Sequence, residues 1–138
     1  MQRSMISTVA VAAVLFAGSS GAAMAGMSGT IKRLDANGSQ FKSGSYAFDK
    51  WPGKLPSGFN YYGTLKDTKA DGHSVKVHGK VDGYGYAKAV TLKKCNGKTK
   101  YVAQKVYGSD PAEQGKVQVC TVRSLLPDYC KESPWYYR

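Results

Sequence analysis

Across residues 74–81, apolar and polar positions alternate one for one. Val75, Val77 and Val81 fall on one side, with Lys76, His78 and Lys80 on the other. Successive side chains of an extended strand point to opposite faces, so the run predicts a strand with one buried and one wet face. Gly79 interrupts the apolar row and marks a bulge or a close backbone contact. Residues 59–65 have strand composition, and Asp71-Gly72 supplies a turn before the alternating run. Residues 84–95 and 98–107 flank Asn96-Gly97, a dipeptide suited to a two-residue hairpin turn. That turn fixes a register with Leu92 opposite Tyr101, Lys88 opposite Lys105 and Lys93 opposite Lys100. Like charges facing each other are unfavourable, so this hairpin requires either a bulge or an anion at its surface. A last strand is expected over residues 116–123, with Val117 and Val119 on one face.

No segment after the first 25 residues carries a helical period. The expected architecture is all-β: about five antiparallel strands in a small sandwich or partly open barrel over residues 59–138. Residues 26–58 are rich in Gly, Ser, Lys and Pro without sustained periodicity. They read as a flexible or extended arm, ordered in part around Tyr46-Ala47-Phe48, which could add an extended segment to a partner's groove or sheet edge.

The first 25 residues have a different pattern. Arg3 gives a positive start, residues 6–18 form an apolar stretch, and Ala23-Met24-Ala25 is a small-x-small cleavage site. This is the layout of a secretory signal peptide, and the stretch is short of the roughly 20 apolar residues of a membrane span. Residues 1–25 are therefore expected to be removed. The mature chain would begin at Gly26 and be secreted, with no stable membrane insertion.

Export changes the meaning of charge and sulfur. The chain has 20 basic and 9 acidic side chains, a net charge of +11. A positive potential of that size speeds encounter with anions such as wall polymers and acidic proteins, while the spread of the lysines serves solubility. Residues 26–138 hold one Ile, six Leu and nine Val against ten Tyr, three Phe and two Trp. A core so thin in aliphatics benefits from a covalent staple. Three cysteines leave one without an internal partner. Cys120 and Cys130 flank a short segment with Pro127-Asp128 as turn chemistry and form the preferred pair, with Cys95–Cys120 as the rival. Under the first pairing Cys95 is free or joins a second chain as a dimer.

Catalytic, metal and cofactor signatures are missing from the sequence. His73 and His78 are an odd number apart and would point to opposite faces of one strand. Asp71, Asp82, Asp110 and Asp128 sit beside Gly or Pro, where a carboxylate bonds its own backbone. No cysteine–histidine spacing suits a metal, and no glycine loop or nucleophile elbow is present. Tyr84-Gly85-Tyr86 resembles the strand start of microbial guanyl-type ribonucleases, but Ala87 and Lys88 stand where those enzymes place His and Glu. Binding is better served. Tyr, Trp and Arg are favoured interface anchors. The candidate binding residues are Lys76, His78, Lys80, Lys88, Lys105, Trp135, Tyr136, Tyr137 and Arg138.

Residues 60–138 resemble small secreted β-rich proteins of actinobacteria. The resemblance lies in Gly79-Lys80-Val81-Asp82-Gly83-Tyr84-Gly85, and in Val117-Gln118-Val119-Cys120 followed by Leu126-Pro127-Asp128-Tyr129-Cys130. Such proteins include protease inhibitors and small adaptor components of secreted antibacterial toxin particles. The subtilisin inhibitors carry two disulfides, which three cysteines cannot supply internally. The expected function is a secreted non-catalytic interaction module, an adaptor first and a protease inhibitor second. Its partner would be an extracellular protein or an anionic surface polymer rather than nucleic acid. The alternative is a basic secreted toxin or hydrolase acting on RNA or cell-wall polymer, with His78 as its functional residue.

Overall fold

Val75, Val77, Gly79 and Val81 all turn inward in the computed structural model, and Lys76, His78 and Lys80 turn outward, as the alternation requires. The structure describes residues 28–49, 58–93, 97–108 and 112–138. Their strands are β1 (Ser28–Ile31), β2 (Leu34–Ala36), β3 (Ser39–Phe48), β4 (Phe59–Asp67), β5 (Val75–Val81), β6 (Val90–Leu92), β7 (Thr99–Val106), β8 (Gln114–Thr121), β9 (Tyr129–Glu132) and β10 (Tyr136–Tyr137). Residues 1–25, expected to be a signal peptide, and Cys95 lie outside the described residues. No described helix is long and apolar enough to cross a membrane.

The fold is all-β and antiparallel, as expected, with two five-stranded sheets that are not closed into a barrel. The first has the order β1-β3-β4-β7, with β2 also on β3; the second has the order β10-β8-β5-β6, with β9 also on β8. Each sheet thus ends in an edge strand broken into two pieces. On the second sheet the break falls at Pro134, which has no N–H to give the ladder. Buried Ser133 bridges the break: its N–H donates to Val117 O, and its hydroxyl accepts from Val117 N–H at 3.0 Å.

Two expectations are corrected here. Residues 28–48 are extended, but as three strands of the first sheet rather than an arm, and Ile31, Leu34, Phe41 and Phe48 enter the core. The inward period of β3 is hidden in the sequence by a bulge opposite Gly63, where Ser43 adopts a φ of 55°. The Asn96-Gly97 hairpin does not form as a strand pair. β6 pairs with β5, whereas β7 pairs with β4 from Phe59↔Val106 to Lys66↔Thr99, so the two strands expected to pair belong to different sheets. The opposition of Lys88 to Lys105 and of Lys93 to Lys100 is therefore absent. A ladder of eight residue pairs that buries Val102 and Val106 outweighs a local turn preference.

Aromatic rings fill the space that aliphatics leave. Phe41, Tyr61, Phe59 and Phe48 form a run with centroids 5.2–6.3 Å apart, and Tyr46 extends it to Tyr136. The rings rest on glycines. A Cβ on Gly115 would lie 2.3 Å from the Phe59 ring, and one on Gly79 would lie 2.9 Å from Tyr61. Gly79 thus marks a close approach between the sheets. Cys120 and Cys130 face each other across β8 and β9 and are joined by a disulfide, with Cα atoms 4.1 Å apart.

Candidate functional site

The outer face of the second sheet carries an interlocked arrangement of polar and aromatic groups. Register places Cys120, Gln118 and Lys116 of β8 opposite Lys76, His78 and Lys80 of β5. On its other side β8 meets β9, which sets Glu132 beside Gln118. The segment after β5 folds back along the strand, and Ala87 N–H donates to Gly79 O at 2.8 Å. This lays the Tyr86 ring flat on His78, with centroids 4.2 Å apart and planes 13° from parallel.

The other groups lock around that pair. The Tyr86 hydroxyl donates to Glu132 Oε2 at 2.7 Å, and Lys116 Nζ donates to Glu132 Oε1 at 2.9 Å. His78 Nε2 lies 2.7 Å from Gln118 Oε1. Lys80 and Lys116 oppose each other in register, a repulsive arrangement relieved by aromatic faces and Glu132. Trp135 lies beneath both ammonium groups, 4.7 Å from Lys116 Nζ and 5.6 Å from Lys80 Nζ. Lys80 Nζ is also 5.1 Å from the Tyr86 centroid. Asp128 holds Lys76 at 3.3 Å.

Burial moves the imidazole of His78 below its ordinary range; the Gln118 bond opposes this and the nearby Lys76 charge adds to it. The ring is neutral at pH 7, and with an amide oxygen as partner its Nε2 carries the proton. Tyr86 is pushed well up by burial and by its bond to Glu132. Glu132 is held low by the bonds from Tyr86 and Lys116. The face therefore presents a neutral imidazole, a protonated phenol and a charged carboxylate around three ammonium groups. Proton transfer through Nε2 would have to break the bond to Gln118. Presentation of fixed ring faces and positive charge needs no change at all.

Of the residues singled out in the sequence, Lys76, His78, Lys80 and Trp135 meet here. The others do not. Lys88 is exposed in the segment before β6. Lys105 sits on β7 in the other sheet and pairs with Asp49 at 2.9 Å. Tyr136 stacks on Tyr46 with centroids 4.5 Å apart, at the margin of the core. Arg138 donates from Nε to Ala112 O at 2.8 Å and from a terminal nitrogen to Asp49 O at 2.5 Å, which ties the C-terminus to residues beyond its own strand. Tyr137 is exposed.

Sequence reasoning missed Tyr86, Lys116, Gln118, Asp128 and Glu132. Lys116 and Gln118 were within reach, because they alternate with Val117 and Val119 as Lys76 and His78 do with their valines. Tyr86 and Glu132 carry no local signal; only the tertiary fold joins them. One described group draws three donors from Cys, His, Asp and Glu side chains, namely Cys120, Asp128 and Cys130, and both of its sulfurs are spent in the disulfide. No family model, curated protein or solved structure matches this chain.

Proposed function

We propose that the chain is an exported, non-catalytic interaction module, an adaptor that docks an extracellular protein on the outer face of its second sheet. The observation that carries this reading is the interlocked set Trp135–Lys116–Lys80–Tyr86–His78. Rings held in place before binding lose little entropy on contact, and aromatic anchors of this kind dominate interface energies. Three lysines against Asp128 and Glu132 leave a positive surplus suited to an acidic partner surface. The leader-like residues 1–25 and the Cys120–Cys130 bridge support an oxidising, extracytoplasmic location.

The test uses the full mature protein as bait against proteins of its own culture fluid. A defined partner is expected to bind in a salt-sensitive manner. The double variant Lys80→Glu, Trp135→Ala should weaken that binding by about 100-fold, in keeping with loss of a central anchor. Its urea midpoint should stay close to that of the parent. Unchanged binding by a folded variant contradicts the reading, and so does the absence of any partner.

A further inference from the structure

The space between the sheets is apolar along most of its length but ends in a group of oxygens. Ser39, Asp67 and Thr121 are 1 %, 0 % and 1 % exposed. Each continues the inward row of its strand, two positions from the core residues Phe41, Leu65 and Val119. Ser39 stands directly opposite Asp67 across β3 and β4. Thr121 comes from the other sheet and reaches the residue before Ser39: a Cβ on Gly38 would lie 3.1 Å from Thr121 Oγ1. The chain after Asp67 closes round the same point, since Thr68 N–H donates to Gly38 O at 3.0 Å. Three strands thus bring three polar side chains to one end of the sandwich.

Their bonding is incomplete. Ser39 Oγ, Asp67 Oδ2 and Thr121 Oγ1 are buried without a hydrogen-bond partner among the described residues. Asp67 Oδ1 accepts only a backbone N–H, that of Lys69 at 3.1 Å, so no cation is bonded to the carboxylate. Burying a carboxylate in that state is strongly unfavourable. A hydrogen on Oδ2 would not help, because it too would lack a partner. A water could serve some of these oxygens but would bring no positive charge. Gly38 leaves room beside them, and Asp71 Oδ2 lies 3.6 Å from the position of its absent Cβ. Asp71 also lines an open cleft with Asn37 and Lys69, which gives an ion a way in. In that cleft Lys69 Nζ donates to Asn37 Oδ1.

We propose that Ser39, Asp67 and Thr121, with Asp71 at the opening, form a calcium site. All four donors are hard oxygens and two are carboxylates. Calcium takes such a set in flexible geometry, with water completing its roughly six to eight ligands. Magnesium demands a stricter octahedron, and zinc prefers nitrogen and sulfur. The set is separate from Cys120, Asp128 and Cys130, whose sulfurs are bonded to each other. Bound calcium joins β3 and β4 of the first sheet to β8 of the second, so it stabilises the sandwich as its occupancy rises. The proposal does not depend on the docking face.

The probe is calcium chloride, titrated calorimetrically into the full mature protein, its disulfide intact, after treatment with a chelator. One ion per chain is expected at about 10⁻⁴–10⁻³ M, the range of extracellular modules, and calcium should raise the urea midpoint. Sodium chloride at matched ionic strength should not raise it, which sets screening of surface charge aside. Asp67→Asn keeps the shape of the side chain and should abolish both effects. Thr121→Val removes one ligand oxygen at similar volume and should weaken binding by about 10-fold. The Lys80→Glu, Trp135→Ala variant should bind calcium like the parent, so this site and the docking face fail separately. Absence of binding heat with an unmoved midpoint, as expected if water alone serves these oxygens, overturns the inference. An equal shift by sodium chloride overturns it too, as does full calcium binding by folded Asp67→Asn or Thr121→Val.

Discussion

Gly115 and Gly79 show how single positions set the core. Each lies beneath an aromatic ring of the opposite sheet, and a methyl group on Gly115 would stand 2.3 Å from Phe59. Gly115→Ala is therefore expected to cost about 1–3 kcal/mol through overpacking, measured by urea unfolding. Gly85→Ala, with nothing within 4 Å, should be near neutral. A second prediction concerns His78. Its folded pKa lies below the unfolded value of about 6.5 because burial disfavours the cation. Between those two values the unfolded chain binds more protons, so stability rises with pH there and is lost as pH falls below about 6.5. His78→Gln should flatten that part of a pH–stability profile, and an unaltered slope would count against the assignment. The valine row of β5 and its wet lysines could be read directly from the sequence. Which ring would sit on Gly79 could not, because Tyr61 reaches it from the other sheet.

Strands differ in how openly their sequences declare them. β5 and β8 alternate cleanly and were legible. β3 was not, because the bulge at Ser43-Gly44 shifts its inward row midway and its polar, serine-rich composition resembles a loose terminus. Ile31 and Leu34 sit on strands of four and three residues, too short for periodicity to show. The correction is testable. Ile31→Ala should cost about 2–5 kcal/mol if Ile31 is core, whereas a residue in a free arm would cost almost nothing. The hairpin was misread for a different reason. Asn96-Gly97 describes the turn and not its flanks, and the flanks are claimed by β4 and β5. The disulfide was legible from spacing and turn chemistry, and it staples β9 to β8. Replacing both Cys120 and Cys130 by Ser should lower stability by about 2.8 kcal/mol on the chain-entropy model, read from the urea midpoint. No change would mean that the bridge restrains nothing the strands do not already hold.

For the molecule as a whole, the two sheets share one aromatic core, and the outer face of the second carries interlocked lysines and rings. The candidate face was half legible: strand alternation assembled Lys76, His78 and Lys80, but Tyr86, Glu132 and Trp135 join them only through the fold-back after β5 and the break at Pro134. Net positive charge pointed to an anionic partner without placing the contact. The most direct test is the mass of the native protein taken from culture fluid, by size-exclusion chromatography with light scattering. A complex with a second polypeptide in fixed ratio, dissociated by Lys80→Glu, Trp135→Ala, is the expected result. Elution as a lone chain at its own mass, with or without the substitutions, would contradict the docking role.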